Sequence, residues 1–229
     1  MSATRLIVLD TETTGIDPKA GHQIIEIGCV EIIDRRVTDQ HYHQYIRPKK
    51  SVEAEALAIH GISNEFLADK PAFGEIIDEF WAFIAGSELI IHNAPFDLGH
   101  IDAELQRLKH APAKTVTQSC TVIDTLIMAR QKHPGQRNSL DALCKRYNID
   151  NSNRQLHGAL LDSEILAEVY LAMTGGQLEL NLQFEGAPSS KQQQAQTIDR
   201  SAALPVVVAN EQELALHQQF IERIGAQQW

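Results

Sequence analysis

The sequence has few cysteines and no long apolar run. Its 229 residues include three cysteines, which are widely spaced and lack the close pairing typical of zinc or redox motifs. No stretch approaches the roughly 18 consecutive apolar residues that a membrane-spanning helix requires. The apolar run at residues 6–9 is also too short for the core of a signal peptide. We therefore expect a cytoplasmic protein without a membrane anchor, with free and mostly buried thiols.

Basic residues are scarce as well. The chain has 20 lysines and arginines against 30 acidic residues, a net charge of −10. Because a protein that binds nucleic acid normally presents a basic face to the phosphates, charge alone favours a protein that never binds nucleic acid. Two features would reverse that interpretation: divalent cations that neutralise clustered carboxylates, and a partner protein that supplies the affinity for DNA. The sequence motifs must decide whether the protein binds nucleic acid.

The apolar pattern predicts strands first and helices later. Residues 5–9, 24–33 and 41–46 form predicted strands, with a turn near residues 34–36. Because these strands follow one another closely, we expect an antiparallel meander. A short strand is predicted at residues 89–91, and helices are predicted at 73–84, 96–108, 124–130, 139–147 and 160–173. The fold class is therefore α/β, a mixed central sheet whose first three strands are antiparallel, flanked by helices.

The composition changes after Gly176. Residues 186–201 are rich in Gly, Pro, Ser and Gln, which is typical of a flexible linker. A last helix is predicted after Asn210, because Asn210 and Glu213 have the spacing of a capping box. Its apolar side would carry Leu214, His217, Phe220, Ile221 and Ile224. About thirty residues are too few to fold alone, so this segment either packs back on the domain or docks on another protein, and we favour docking.

Two carboxylates, Asp10 and Glu12, lie at the end of the first predicted strand. Residues two apart on a strand project from the same face, so both side chains can bind one ion. The D-x-E spacing alone is weak, since a chain of this composition contains about four such spacings by chance. Its position is the stronger signal, because carboxylates beside a buried strand are costly unless they are paired or bound to metal.

A third acid, Asp97, is predicted in the first turn of the helix that follows the strand at residues 89–91. Pro95 helps to start this helix. The helix dipole also favours an acid at this position. Asp97 alone could therefore be purely structural.

The segment from His157 to Asp162 opens the long amphipathic helix. A spacing of five residues corresponds to about 500° of rotation, so the two side chains would lie roughly 140° apart on one helix. Both can serve one site only if His157 lies on the loop before the helix, which Gly158 would permit. His157 could otherwise be a surface or capping histidine, whereas Asp162 lies within an apolar stripe.

Together these motifs resemble the DEDDh signature of 3′→5′ exonucleases: D-x-E, then H-N-x-x-F-D, then H-x-x-x-x-D. Within that family the chain is similar to the proofreading (epsilon) subunits of bacterial DNA polymerase III. The similarity covers the chain to about residue 176, and it is carried by residues 9–15, 59–62, 92–97, 137–144 and 156–176. It implies an RNase H-like exonuclease domain over residues 1–176.

The resemblance also implies a two-metal site for phosphodiester hydrolysis. Its ligands would be Asp10, Glu12, Asp97 and Asp162, with Asp10 bridging two ions and Asp97 supporting the second. Oxygen ligands without thiolates favour Mg²⁺ or Mn²⁺. His157 would be the catalytic base that takes a proton from the attacking water, a role that suits histidine. The expected products are nucleoside 5′-monophosphates released singly from DNA 3′ ends.

A set of substrate contacts follows from the same resemblance. Ile59 and His60 would wedge the terminal nucleotide, with His92 and Phe96 beside it, although Ile59 and Phe96 could equally be core residues. Such contacts stack on bases without reading their sequence, so mispaired ends would be selected because they fray at lower cost. The full predicted set is Asp10, Glu12, Thr13, Glu55, Ile59, His60, His92, Phe96 and Asp162.

The resemblance implies protein partners. Residues 177–182 resemble the Q-L-x-L-x-L peptide that binds the bacterial sliding clamp, although so permissive a pattern also occurs by chance. Residues 183–203 would be a linker, and residues 204–229 would bind the catalytic (alpha) subunit of DNA polymerase III. A small theta-like subunit is a further candidate partner. Contacts joined by a linker gain affinity through effective concentration, so partners would bring the DNA. The clamp-binding residues would be Gln177, Leu178, Leu180 and Leu182.

Two other functions stay open at this point. A DEDDh exonuclease that trims RNA 3′ ends would share the site but would not need a polymerase-binding tail. A structural subunit of a polymerase complex would not need the full set of acids, and buried unpaired carboxylates are costly to retain. The sequence therefore favours the proofreading exonuclease.

Overall fold

The structure, a computed structural model, describes residues 5–108, 115–154, 156–175 and 210–224. The chain divides into two units, Met1–Leu180 and Asn181–Trp229. The predicted clamp-binding motif at residues 177–182 and the predicted linker at 183–203 lie outside the described residues.

A five-stranded mixed sheet forms the centre of the first unit. Its strand order is β3-β2-β1-β4-β5. β1 pairs antiparallel with β2, and β2 with β3, whereas β4 pairs in parallel with both β1 and β5. The predicted mixed sheet with three antiparallel first strands is thus confirmed. The strands are Arg5–Thr13 (β1), Ile24–Ile33 (β2), Arg36–Tyr45 (β3), Glu88–Ile91 (β4) and Thr121–Asp124 (β5).

The predicted end of β1 is wrong. The strand continues through Thr13 instead of ending at Leu9, and its pairing with β2 extends over Asp10 and Glu12. Those two acids replace the apolar run that marks a buried strand, so the pattern alone indicates an early end. Asp10 and Glu12 therefore lie within a strand that is longer than the predicted apolar run.

The third and fifth strands also differ from the prediction. β3 begins at Arg36, not at residue 41, because Asp34 and Arg35 both adopt positive φ, 48° and 61°. Two such residues make the tight turn that matches the twist of a β-hairpin. β5 was not predicted, since its four residues are too few to show a period.

Nine helices and one short 3-10 helix occur in the described residues. The predicted helices are confirmed with bounds that differ by a few residues. The helices are Ala54–His60 (α1), Asn64–Leu67 (α2), Phe73–Ile84 (α3), Ala94–Arg107 (α4), Val116–Ser119 (α5), Thr125–Lys132 (α6), Leu140–Tyr147 (α7), Ala159–Thr174 (α8) and Glu211–Ile224 (α9), and the 3-10 helix is Pro18–Ala20.

Successive residues of β1 face two different apolar cores. Ile7 and Leu9 pack with residues of α3 and α4, whereas Val8 packs with Leu166 of α8. Because side chains alternate between the two faces of a strand, odd-numbered residues of β1 face α3 and α4. Even-numbered residues face α8. This alternation decides on which side of the sheet each polar residue of β1 lies.

The start of α8 lies against the backbone of β2. A Cβ atom on Gly28 would overlap the backbone of Ala159 and Leu160. The Ser163 hydroxyl donates to the Gly28 carbonyl oxygen over 2.9 Å, and the Ala159 N–H donates to Glu26 Oε2 over 3.1 Å. Glycine at position 28 is therefore what allows α8 to approach the sheet closely.

We expect Gly28→Ala to lower the free energy of unfolding by about 1–3 kcal/mol or more, because the added methyl group must push α8 away from β2. Urea denaturation followed by circular dichroism measures this change. Gly99→Ala is the matched control: it lies inside α4, where the nearest atom to an added Cβ is Pro18 Cγ at 3.7 Å. That substitution should raise stability by roughly 0.5–1 kcal/mol. Equal changes in the free energy of unfolding for the two substitutions would contradict the close approach of α8 to β2 at Gly28.

The second unit contains α9, which begins with the predicted capping box. The Glu213 N–H donates to Asn210 Oδ1 and the Asn210 N–H donates to Glu213 Oε2, both over 2.9 Å. Leu214 and Leu216 are exposed. Among the described residues no helix is both long enough and apolar enough to cross a membrane.

Candidate active site

Asp10 and Glu12 project from the face of the sheet that α8 covers. They continue the even-numbered series of β1 that begins with Val8 against α8. Glu12 is buried and Asp10 is half-buried. The two carboxylates therefore meet the first turn of α8, where Asp162 is buried.

Asp97 reaches the site from the opposite face of the sheet. It lies in the first turn of α4, is 2% exposed, and accepts a hydrogen bond of 2.7 Å from the Thr11 hydroxyl. Thr11 belongs to the odd-numbered series of β1, which faces α4. Asp97 consequently lies on the α4 side of β1, close enough for its charge to act on Asp10.

The turn before α4 holds an unusual backbone conformation. Asn93 has φ 67° and ψ 52°, a left-handed conformation that asparagine tolerates better than most residues. The backbone N–H groups of Asn93 and Ala94 donate to the Asp124 carboxylate over 3.3 and 3.1 Å. Asp124 also caps α6 through the N–H of Leu126. Asp124, which was not predicted as a functional residue, thus fixes the start of the helix that carries Asp97.

His157 lies on the loop before α8, as a site shared with Asp162 requires. Its backbone N–H donates to the Ile59 carbonyl oxygen at the end of α1, over 3.1 Å. Its side chain is 44% exposed, and Nδ1 lies 3.3 Å from Asp162 Oδ2. Gly158 adopts φ −155° and ψ 130°, extended backbone that any residue can adopt, so the expected special role of this glycine is not needed.

An open cavity of about 620 Å³ brings most of the predicted residues together. Glu12, His157 and Asp162 each offer a ligand atom, and these atoms lie within 4.8 Å of one another. The predicted residues that line the cavity are Asp10, Glu12, His92, Phe96, His157 and Asp162.

Four predicted substrate contacts do not line this cavity. Ile59 is 51% exposed, so it is not a core residue, and the hydrogen bond from His157 places its backbone beside the loop. His60 is buried, with Nδ1 accepting from the Ile62 N–H over 3.0 Å. Thr13 is buried and donates to the Gly15 carbonyl oxygen, and Glu55 is exposed on α1. The structure therefore places these four residues outside the cavity that the other predicted substrate contacts line.

The clustered acids resist ionisation. Burial raises the pKa of Asp10 well above its ordinary value, and the charges of Asp97, Glu12 and Asp162 raise it further. Burial, Asp162 and Glu26 together raise the pKa of Glu12 to about 8. Burial raises the pKa of Asp97 to about 7 even though hydrogen bonds from Thr11 oppose the change. Ionisation of all these acids together is therefore unfavourable unless a cation balances their charge.

Asp162 differs from the other three acids. Burial alone would raise its pKa, but hydrogen bonds from Arg154 and His157 hold the pKa of Asp162 below its usual range. The Arg154 side chain is 6% exposed. It donates from Nε and Nη2 to the two oxygens of Asp162, over 2.5 and 2.7 Å. The sequence did not predict Arg154, since a lone arginine in a loop belongs to no periodic or metal-ligand pattern.

Glu26 is a third residue that the sequence did not single out. It is buried, its Oε1 lies 2.7 Å from His43 Nε2, and its Oε2 accepts from the Ala159 N–H at the start of α8. It also lies opposite Glu12 in the pairing of β1 with β2. Glu26 thus orients the helix that presents Asp162.

The donor set fits a hard divalent cation. The candidate ligand atoms are carboxylate oxygens and an imidazole nitrogen, and no cysteine lines the cavity. Such oxygen-rich sites suit Mg²⁺ or Mn²⁺. Burial raises the pKa values of Asp10, Glu12 and Asp97. A bound cation would favour the ionised form of these acids, which also fits a metal site.

Comparison with known proteins identifies the family. A family model described as Exonuclease (RNase_T) matches residues 7–170. The chain is 53% identical over 228 residues to the DNA polymerase III subunit epsilon of Salmonella typhimurium, covering 96% of this chain and 93% of that protein. The chain belongs to the epsilon-subunit family of exonucleases. The predicted family and the predicted class of enzyme, an exonuclease, are confirmed.

Solved structures of other exonucleases are similar to this chain. Exonuclease X in complex with 5′ overhanging duplex DNA is 29% identical, with a TM-score of 0.57 over 74% of this chain and 91% of that one. The nuclease domain of 3′hExo, a DEDDh family member bound to rAMP, has a TM-score of 0.63 at 19% identity, over 76% of this chain and 93% of that domain. The second likeness shows the fold alone, and that fold is the predicted RNase H-like one. Membership of this exonuclease family implies dependence on divalent metal ions.

Proposed function

We propose that this epsilon-family exonuclease is the proofreading subunit of a bacterial replicative DNA polymerase. It would remove mispaired nucleotides from DNA 3′ ends as 5′-monophosphates. The observation that carries the proposal is the convergence of Asp10, Glu12, His157 and Asp162 on one open cavity, with Asp97 behind it. Similarity to epsilon subunits and to exonuclease X supports the removal of nucleotides from DNA ends.

Four carboxylates would hold two divalent ions, Mg²⁺ or Mn²⁺. Glu12 and Asp162 offer oxygens on the cavity side, and the charges of Glu12, Asp162 and Asp97 all act on Asp10. Ions held there would supply the activated water and stabilise the leaving 3′ oxygen. Excess negative charge is what prepares the site for them, because cation binding relieves the mutual repulsion of the acids.

His157 is the proposed general base. Its side chain lines the cavity, is partly exposed, and has Nδ1 within 3.3 Å of Asp162 Oδ2. A histidine can take a proton from water at neutral pH, and the neighbouring carboxylate would stabilise the resulting imidazolium. The backbone hydrogen bond to Ile59 holds the loop that carries His157.

The substrate strand would enter over His92 and Phe96. Phe96 is half-buried on the cavity wall, its ring centroid 4.6 Å from that of His100. Ile59 on α1 is exposed beside the His157 loop and would wedge the terminal base. His60, Thr13 and Glu55 would support this edge. A frayed end reaches such a site at lower unpairing cost than a matched one.

A labelled-strand assay tests the proposal. A 5′-labelled DNA strand, matched or mismatched at its 3′ end, should shorten stepwise in Mg²⁺ and release 5′-monophosphates. The mismatched and single-stranded ends should be degraded faster, because less pairing must be broken. A matched set of RNA strands degraded faster than DNA would favour the RNA-trimming function instead, and no degradation in Mg²⁺ or Mn²⁺ would favour a structural subunit.

The proposed partners depend on segments beyond the exonuclease domain, residues 1–176. Residues 177–182 would bind the sliding clamp through Gln177, Leu178, Leu180 and Leu182, residues 183–203 would be a linker, and residues 204–229 would bind the alpha subunit. A theta-like subunit is a further proposed partner, and the complex would act in the cytoplasm. In pulldowns, a chain ending at residue 182 should lose the alpha subunit and keep the clamp. Retention of the alpha subunit by the shortened chain would contradict the assignment of the tail.

A further inference from the structure

Arg154 is the most extensively paired cation at the candidate site. Its guanidinium donates to both oxygens of Asp162, to Asp141 Oδ1 over 2.7 Å, and from Nη2 to His157 Nδ1 over 2.9 Å. Asp162 and His157 are two of the three residues whose ligand atoms cluster within 4.8 Å. The arginine therefore contacts the same groups that the proposed metal ion and the proposed general base require.

The contact with Asp162 opposes a divalent ion at the same carboxylate. A guanidinium carries a full positive charge at every physiological pH. In a bidentate pair it takes one lone pair of each carboxylate oxygen. A second cation on Asp162 would lie a few ångströms from the guanidinium carbon, and like charges repel strongly in a partly desolvated site.

The contact with His157 occupies its Nδ1 atom. Arginine can only donate hydrogen bonds, so with Nη2 at 2.9 Å the Nδ1 atom must be the acceptor. With Arg154 withdrawn, Nδ1 would have Asp162 Oδ2, 3.3 Å away, as its remaining neighbour.

Arg154 also has a second carboxylate to which it can withdraw. Asp141, in the first turn of α7, is 55% exposed and binds Nη1 of Arg154. It also accepts a hydrogen bond from the Asn151 side chain over 3.1 Å. Leaving Asp162 therefore does not leave the arginine without a partner.

We propose that Arg154 is an internal counter-cation that must leave Asp162 when a divalent metal ion binds there. This inference rests on the proposed metal site. In the state with Arg154 on Asp162, the guanidinium balances the acids and donates to His157 Nδ1. In the other state Arg154 stays on Asp141, Asp162 becomes a metal ligand, and the contact with His157 is broken. Metal occupancy and the partner of His157 Nδ1 are thereby coupled through one side chain.

Metal affinity in the full chain tests the proposal without any measurement of activity. Isothermal titration with Mn²⁺ alone should show tighter binding by Arg154→Gln than by wild type, by about tenfold or more, which corresponds to loss of a competing contact of moderate strength. Arg36→Gln removes the same charge from an exposed position at the start of β3 and should bind like wild type. If Arg154 instead holds Asp162 ready for metal, Arg154→Gln will bind Mn²⁺ equally or more weakly, and the proposal is overturned.

A second measurement uses the wild-type chain, so it does not depend on the folding of a variant. In ¹H–¹⁵N spectra of arginine side chains, the Nε–H resonance of Arg154 should move on addition of Mg²⁺, as its hydrogen bond to Asp162 breaks. An unchanged Nε–H resonance at saturating Mg²⁺ would show that Arg154 stays on Asp162 when metal is present. That result would contradict the proposed exchange without contradicting the proposed metal site. Absence of Mn²⁺ binding by both wild type and Arg154→Gln would instead refute the metal site itself, and the proposed exchange with it.

Discussion

Asp10→Asn is expected to reduce Mg²⁺-dependent degradation of a DNA 3′ end by about 10²–10³-fold or more, the scale of losing a main electrostatic group at a reacting centre. The charges of Glu12, Asp162 and the buried Asp97 all act on Asp10. Removal of its charge should therefore weaken the proposed metal site more than removal of an isolated acid. Single-turnover rates on a 5′-labelled strand measure the loss.

The same substitution should stabilise the protein in EDTA. Asparagine removes one charge from a cluster in which burial and neighbouring acids already oppose ionisation, so the melting temperature should rise by a few degrees. Asp39→Asn, at an exposed position of β3, is the control and should leave both activity and melting temperature near the wild-type values. Wild-type activity in Asp10→Asn would refute the assignment of the site. A fall in the melting temperature of Asp10→Asn in EDTA would refute the claim that repulsion among these acids destabilises the metal-free protein.

Stability in EDTA should fall as the pH rises from 6.5 to 8. The folded-state pKa values of Glu12 and Asp97 are raised to about 8 and about 7, whereas the same groups in the unfolded chain ionise near pH 4. Between those values the folded state binds more protons, so a rise in pH disfavours it. The stabilisation is complete below pH 4 and is lost as pH passes 7 to 8, with a fall in melting temperature on the order of 5 °C.

The pH window matters because buried histidines act in the opposite direction. Burial lowers the pKa values of His60, His92 and His100, so these groups favour the folded state increasingly as pH rises toward 6.5. Above pH 6.5 the unfolded histidines are mostly neutral as well, and this effect ends. The interval from 6.5 to 8 therefore isolates the carboxylates.

Two further conditions check the origin of the slope. Glu12→Gln should melt at a higher temperature than wild type in EDTA at pH 8, and its melting temperature should depend less on pH. In 10 mM Mg²⁺ the wild-type slope should flatten, because metal binding favours the ionised carboxylates. A wild-type melting temperature that stays constant or rises across this interval in EDTA would show that the folded-state pKa values of Glu12 and Asp97 are not raised.

The sequence by itself determined the features that depend on local periodicity. Alternation along β1 places Asp10 and Glu12 on one face, and the capping box of Asn210 and Glu213 starts α9 as predicted. The fold class follows from the order of strands and helices, since closely spaced strands pair with their neighbours. These features involve residues a few positions apart, so a short window of sequence contains the whole physical cause.

Only the tertiary structure decided how distant residues meet at the site. Thr11 and Asp97 are 86 positions apart, and Glu26 reaches the start of α8 across 133 positions. The placement of Asp97 behind β1 depends on which face α4 covers, and the pairing of Arg154 depends on the path of a loop. No period in the sequence encodes such contacts, because packing of separate elements sets which side chains share a buried space and which charges must balance one another.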